Sequence, residues 1–471
     1  MRRLKILALS CIVLAATSCK EYLDVRPYGR TIPKTAEEFS ALIHTHLNDL
    51  DNGSSNYFVG NAGTLMDWDT GGGDDFEVCL TENSGKSMDI YLGSFVGSMS
   101  AYSIYSSLYE VIRDCNIVID NLEDDDDQLT KDVLATSYAL RAVCYYQLLR
   151  MYCEAPRKGE MAEQLGLALV TTFDMEERPV RSNMLSTIDL IESDLKKAIG
   201  YQCTNDLYRF TADVAKGYLA RLYFWTEQWD KVLPLTSELL QTYPILDRDA
   251  FKEMMNSPFV LGKNQLIKAY RTYTSSTGTD FSSASGIIKY RPVSVRFLSH
   301  FNTAAGEDST DVRYSMSVNR KRRCQKSFFC GMRSAEFKLM EAECYYHLGQ
   351  ESEALASLND LRRHRIRNAT DYTMQTLPAI NSKEIISVDA EGNALTPLIA
   401  AILSERRKEL FLEGDRLFEQ KRNGTPEFWT AYNGRRYNTL AYMYTFPIPE
   451  SDIRIISALQ QNPGYTEVES D

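Results

Sequence analysis

An alanine followed three and four residues later by two aromatic residues occurs three times along the chain, as Ala142-Tyr145-Tyr146, Ala220-Tyr223-Phe224 and Ala342-Tyr345-Tyr346. A small residue lets two helix backbones approach, and the large rings beside it fill the neighbouring gaps. After the second and third copies come a short turn, Thr226 to Asp230 or Leu348-Gly349-Gln350, and a second apolar stripe in which Val232, Leu233 and Leu239 align on Ala354, Leu355 and Leu361. That is the pattern of tetratricopeptide-type helical hairpins, and it places most of the tyrosines in a core. The fold class expected is mainly α, a tetratricopeptide-like helical hairpin scaffold forming an α-α superhelix, with long loop-rich insertions and minor β structure.

Helical periodicity elsewhere agrees. Thr35 and Glu38 read as a capping box ahead of Phe39, Leu42, Ile43, His46 and Leu47 on one face. Further helices are predicted over 102–119, 132–153 and 187–199, with two more filling 211–241; the run Glu123-Asp124-Asp125-Asp126-Asp127 is a solvated loop. Between these segments, residues 52–93 and 270–317 are rich in Gly, Ser, Thr, Asn and Asp, with little helical pattern and short β-like alternations. Insertions of that length inside a compact domain usually carry function.

The N-terminus has Arg2, Arg3 and Lys5, an apolar run from Ile6 to Thr17, and Ser18-Cys19. Residues 1–18 read as a lipoprotein signal peptide and Cys19 as the lipidated first residue of the mature chain, leaving residues 19–471 as one domain. Two acyl chains on one cysteine anchor a protein without a spanning helix. Loss of the signal removes three positive charges and takes the formal charge from −12 to −15, which argues against nucleic acid as a partner. The remaining cysteines form no metal-ligand pattern; Cys324 and Cys330 could bridge in an oxidising compartment.

Several segments resemble the SusD/RagB family of outer-membrane nutrient-binding lipoproteins: Ser18-Cys19-Lys20-Glu21-Tyr22-Leu23-Asp24-Val25, the helix from Thr35, Asp194-Leu195-Lys196-Lys197-Ala198-Ile199 and Ala220-Arg221-Leu222-Tyr223. The C-terminus carries the most specific match, in Glu405-Arg406, Glu409-Leu410, Glu413-Gly414, Arg416, Arg422 and Gly424, then Phe446-Pro447-Ile448-Pro449 and Gln461-Asn462-Pro463-Gly464-Tyr465. The resemblance implies four helical hairpins docked on a SusC-like TonB-dependent transporter, with the loop-rich regions capturing an oligo- or polysaccharide at the cell surface. It implies no catalysis and no cofactor. A peptide-binding subunit of the same architecture and a helical-repeat scaffold in the envelope are the alternatives. In the resemblance Tyr105 stands where many members carry Trp.

Glycans are gripped by flat aromatic faces with polar groups at the rim. Of four tryptophans, Trp225 and Trp229 fall in a repeat hairpin and Trp429 follows the C-terminal motif, so these three are expected to pack. Trp68 in the glycine-rich stretch is the leading ligand contact, with its neighbours Asp67 and Asp69 as polar contacts beside it and Tyr273, Phe281 and Tyr290 behind it. Asp67, Asp69, Gly72, Asp74 and Asp75 partly resemble a calcium loop, but Val78 stands where the bidentate glutamate belongs, so no metal is assigned. Glu405, Glu409 and Glu413 share a predicted helix face and repel one another, with Arg406, Arg407, Lys408 and Arg416 as compensating charges and Glu413 with Arg416 as an i,i+3 pair. A glycosidase pair among them is the catalytic alternative; no nucleophile, HExxH or phosphate-loop signature occurs.

Overall fold

The computed structural model describes residues 33–53, 56–77, 91–96, 99–174, 176–257, 259–270, 291–432 and 434–465; the signal segment, Cys19, Tyr273, Phe281 and Tyr290 lie outside the described residues. The predicted helices form. They are α1 (Ala36–Asn52), α2 (Met99–Asn121), α3 (Gln128–Tyr152), α4 (Met184–Gly200), α5 (Ala212–Trp225), α6 (Trp229–Thr242), α7 (Ser334–His347), α8 (Glu351–Arg363), α9 (Pro397–Glu409) and α10 (Arg416–Arg422). Neighbours in this order pack side by side as α2–α3–α4–α5–α6, and α7 joins α6 to α8 and α9. The chain is therefore a curved stack of helical hairpins. Three two-stranded antiparallel sheets are described: β1 (Leu165–Ala168) with β2 (Arg181–Asn183), β3 (Gln265–Lys268) with β4 (Gly331–Arg333), and β5 (Phe428–Tyr432) with β6 (Arg435–Thr439). Among the described residues no helix is long and apolar enough to cross a membrane.

The repeat alanines sit where the spacing puts them. Ala142, Ala220 and Ala342 have no exposed surface, and Tyr145, Tyr146, Tyr223 and Phe224 are buried beside the first two. Helix α3 is buried on nearly every face, as befits a central helix rather than an amphipathic one. Its polar residues are consequently paired inside: Arg141 donates to both carboxylate oxygens of Asp194 on α4 at 2.7 and 2.8 Å and to Asn116 Oδ1 at 2.8 Å. The Asp-Leu-Lys-Lys segment matched above thus contains the acid that clamps α4 to α3. Trp225 and Trp229 are buried as expected, and so is Tyr105, packed edge-on against Tyr152.

The helix ends follow their sequence signals. Thr35 Oγ1 accepts from the Glu38 amide at 3.3 Å, while the Glu38 carboxylate reaches past the cap to the Lys34 amide at 2.7 Å. Asp127, last of the acidic run, caps α3 by accepting from the amides of Leu129 and Thr130 at 3.0 and 3.3 Å. Replacing Asp127 by alanine is expected to cost about 1 kcal/mol in chemical denaturation, and an equal substitution at the exposed Glu123 next to nothing.

At the other end of the chain, Phe446 is buried against Phe95 and Tyr152, and the extended segment it opens is stapled by the terminal Gln-Asn pair. Gln461 exchanges hydrogen bonds with the Ile448 amide and carbonyl at 2.8 and 2.9 Å; Asn462 Nδ2 donates to the carbonyls of Phe446 and Tyr152 at 2.7 and 2.8 Å. Cys324 and Cys330 are both buried and are not bridged to each other.

The described part of the glycine-rich insertion holds more helix than its composition predicts. It contains a helix, Ala62–Asp67, that runs directly into a wide helical turn, Trp68–Gly72, and a further turn of helix at Leu92–Val96. The described part of the second insertion likewise holds short helices at Val295–Leu298, Glu307–Thr310 and Val312–Ser317.

Candidate functional site

The C-terminal glutamates and the glycine-rich acids meet in one buried ionic layer. Glu409 has no exposed surface and accepts from Arg333 Nη1 at 2.6 Å, Arg365 Nη2 at 2.9 Å and Arg313 Nη1 at 3.3 Å. Glu405 is held by Lys408 at 2.6 Å and Arg313 at 2.7 Å, and Glu413 by Lys326 and Arg333, both at 2.8 Å. The compensating charges thus come largely from Arg313, Lys326, Arg333 and Arg365, outside the motif. Glu413 lies beyond the end of α9, and its expected pairing with Arg416 does not form. Arg416 instead meets Asp74 at 2.8 Å, Glu384 at 2.7 Å and Glu419 at 2.7 Å, and Arg407 meets Asp74 at 3.0 Å and Asp75 at 2.7 Å.

This layer is built to hold charge rather than to move protons. Although burial pushes the carboxyls up, the guanidiniums of Arg365, Arg333 and Arg313 hold Glu409 well below the usual carboxylate range, and Arg313 and Lys408 bring Glu405 to about 2. A glycosidase acid must keep its proton near neutral pH, which neither residue can do. Asp74 Oδ1 and Asp75 Oδ1 are taken up by Arg407 and Arg416, Asp74 Oδ2 is buried without a protein partner, and no metal-ligating cluster is found among the described residues.

The leading sequence candidate is enclosed by the same layer. Trp68 is 3% exposed, edge-on to Phe418 at 5.1 Å, and faces Gly414. Gly414 has φ +72°, and a Cβ there would come within 3.2 Å of the Trp68 ring, so the Glu-Gly step of the motif needs glycine. Asp69 is buried, accepts from the Gly414 amide at 3.2 Å, and is pushed well above the usual carboxylate range by desolvation. Asp67 ends the short helix, half-buried. The expectation that Trp68 and Asp69 present open faces to a ligand is therefore corrected: the C-terminal motif covers them.

The exposed tryptophan is Trp429, expected to pack and found 52% exposed on β5. Strands β5 and β6 pair in unbroken register from Phe428–Thr439 to Tyr432–Arg435, so Trp429, Ala431, Arg436 and Asn438 point outward while Phe428, Thr430 and Tyr437 turn inward. Arg436 lies over the Trp429 ring at 5.2 Å and donates to Asn438 at 2.8 Å. Beneath the hairpin is a cavity of about 460 Å³ whose lining includes Phe76, Tyr91, Phe428, Trp429, Arg296 and Glu77. Tyr91 is fixed against Tyr437 at 5.2 Å, and Arg296 against Phe428 at 5.8 Å. Glu77 is charged, its carboxyl lowered by the bidentate Arg322 at 2.7 and 2.9 Å despite partial burial. Aromatic walls with a few fixed polar groups are what a sugar site requires.

Two larger cavities lack that character. One, about 800 Å³, is lined by Glu154, Arg157, Lys158, Glu227, Glu391 and Lys421, with Tyr442 as its one aromatic side chain, packed on Tyr465. In the other, about 570 Å³, Phe301 is buried against Phe297 and Tyr314 and the ring of Tyr372 is covered by Arg362 at 3.4 Å.

Comparison with known proteins places both ends of the chain in one group. Residues 312–465 match the model of the SusD family, and residues 21–224 match that of a family described as starch-binding and associating with the outer membrane. A SusD-like protein of Formosa agariphila is 19% identical over 247 residues, a match that spans half of this chain and 45% of that protein. Among solved structures, a SusD superfamily protein from Bacteroides vulgatus superposes with a TM-score of 0.66 at 19% identity, covering 92% of this chain and all of the other. A laminarin-binding SusD-like protein superposes with a TM-score of 0.61 at 17% identity, covering 92% of this chain and all of the other.

Proposed function

The chain belongs to the SusD family, and on that premise we propose that it is a non-catalytic capture subunit for an oligo- or polysaccharide at the outer membrane. The observation that carries the reading is the cavity under the β5–β6 hairpin, where Tyr91 and Phe428 stand in the wall with Arg296 and Glu77, and Trp429, on the outward face of β5, stands at the mouth. Stacking of sugar C–H faces on those rings supplies affinity, and the charged and hydroxyl groups at the rim select the linkage. Lipid on Cys19 holds the protein at the membrane, and the bound glycan passes to a TonB-dependent transporter of the SusC type. Glu405 and Glu409, buried and held below the usual carboxylate range by the guanidiniums around them, support a scaffold role for the C-terminal motif rather than chemistry.

A glycan array probed with the lipid-free chain from Lys20 onward tests the substrate class. Selective retention on one polysaccharide class is expected. A blank array, with binding to extended peptides instead, would replace the glycan reading with peptide capture.

A further inference from the structure

Behind the ionic layer lies a second, much smaller cavity of about 70 Å³, between Trp68, the C-terminal end of α3, helix α5 and helix α10. Its size admits a few water-sized spheres, too few for a sugar ring. Its lining is unusual in composition. Trp68 Nε1, Trp225 Nε1, Arg150 Nε, Arg406 Nη1, Arg422 Nη2 and Glu419 Oε1 all belong to residues that line it, and each is a buried polar atom with no partner in the protein.

The side chains are held so that one edge is satisfied and another left over. Arg406 places Nε and Nη2 on Asp415 at 2.9 and 2.5 Å, Arg422 places Nη1 on Glu343 at 2.5 Å, and Arg150 places Nη2 on Gln147 at 2.5 Å. Both indoles stand edge-on to the Phe418 ring, at 5.1 and 6.2 Å, and the Arg150 guanidinium lies over that ring at 4.0 Å. Arg150 forms no ion pair among the described residues, although Glu336, Glu413, Asp415 and Glu419 also line the cavity and the carboxylates of the first three are already engaged by Arg221, Arg333 and Arg406.

Five donors against one acceptor is a poor home for water, whose own hydrogens need acceptors, and a good one for a group that only accepts. We propose that this cavity is a binding site for a small inorganic anion of halide size, held by the indole N–H groups of Trp68 and Trp225 and the guanidiniums of Arg150, Arg406 and Arg422. The ion neutralises Arg150 and ties the glycine-rich turn, α3, α5 and α10 together beneath the ionic layer. The site is independent of the glycan-binding reading and shares no lining residue with the cavity under the hairpin.

Bromide is the probe. Crystals of the lipid-free chain grown in sodium bromide, with anomalous data collected at the bromine edge, are expected to show a peak inside this cavity in contact with Trp68 and Arg406. In solution, the melting temperature is expected to be a few degrees higher in sodium chloride than in sodium gluconate at equal ionic strength. That difference should shrink in both Trp225→Phe, which keeps the ring and removes one donor, and Arg150→Met. Anomalous peaks confined to surface residues, an adventitious ion only, would overturn the proposal. So would a melting temperature indifferent to the anion in the wild-type protein.

Discussion

Glu409→Gln is expected to lower the free energy of unfolding by about 3–5 kcal/mol, a large part of the roughly 5–15 kcal/mol available to a folded domain. Arg333 and Arg365 are both 0% exposed, and Arg365 has no carboxylate partner other than Glu409 among the described residues. An amide keeps the shape but leaves two desolvated guanidiniums short of charge. Urea denaturation followed by circular dichroism measures the loss, with Glu123→Gln in the exposed acidic loop as the control, expected within about 0.5 kcal/mol of wild type. The same layer sets the acid limb of stability. Glu405 falls from 4.5 to about 2 in the fold, so its contribution, on the order of 3 kcal/mol, is complete above pH 4.5 and disappears as pH drops toward 2. Glu419 runs the other way: burial raises it to about 7, so the stability linked to its proton is complete below pH 4.5 and is lost as pH rises through 7. A steep loss of stability below pH 4.5 is therefore expected, with Glu343 and Glu384, held low by Arg422 and by Arg416 with Arg407, adding to Glu405 and Glu409.

The second large effect concerns binding. Trp429→Ala is expected to weaken glycan affinity by about ten- to a hundredfold, equivalent to about 1.4–2.7 kcal/mol, because it removes the most exposed ring at the mouth of the cavity. Its melting temperature should stay near that of wild type, since the ring is half in solvent and the hairpin is held by five register pairs. Retardation in native gels containing the polysaccharide chosen on the array reports the change. Trp68→Ala should behave in the opposite manner, losing about 3–5 kcal/mol of stability through the hole it leaves against Phe418 and Gly414.

Those two tryptophans mark what the sequence discloses. The helices were readable because a stripe such as Phe39-Ile43-Leu47 or the Ala-Tyr-Tyr spacing is local, and each fell within a few residues of its expected limits. The burial of Trp68 was not, because the residues that cover it, Gly414 and Phe418, are some 350 positions away and the turn itself has no apolar period. Trp429 had a signal that the packing expectation passed over. Phe428 to Tyr432 is rich in aromatic and β-branched residues, Asn433-Gly434 follows, and Tyr437 and Thr439 continue beyond it, which is the mark of a two-stranded hairpin. The three glutamates were correctly read as needing compensation, yet their partners Arg313, Arg333 and Arg365 come from segments that nothing in the spacing connects to the motif.

The ionic layer also links scaffold to site. Asp74 and Asp75, clamped by Arg407 and Arg416, precede Phe76 and Glu77 in the cavity wall, and Ser294 Oγ donates to the Asp74 carbonyl at 2.7 Å just before Val295 and Arg296. A wall fixed this way keeps its shape before the ligand arrives, which lowers the ordering cost of binding.

The crystal structure of the protein with an oligosaccharide of the class selected on the array is the most direct measurement. The account predicts sugar rings in the cavity beneath the β5–β6 hairpin, with one ring stacked on Trp429 and hydroxyls within reach of Arg296 and Glu77. A glycan bound in the 800 Å³ cavity beside Lys158 and Glu391, with Trp429 bare, would contradict it.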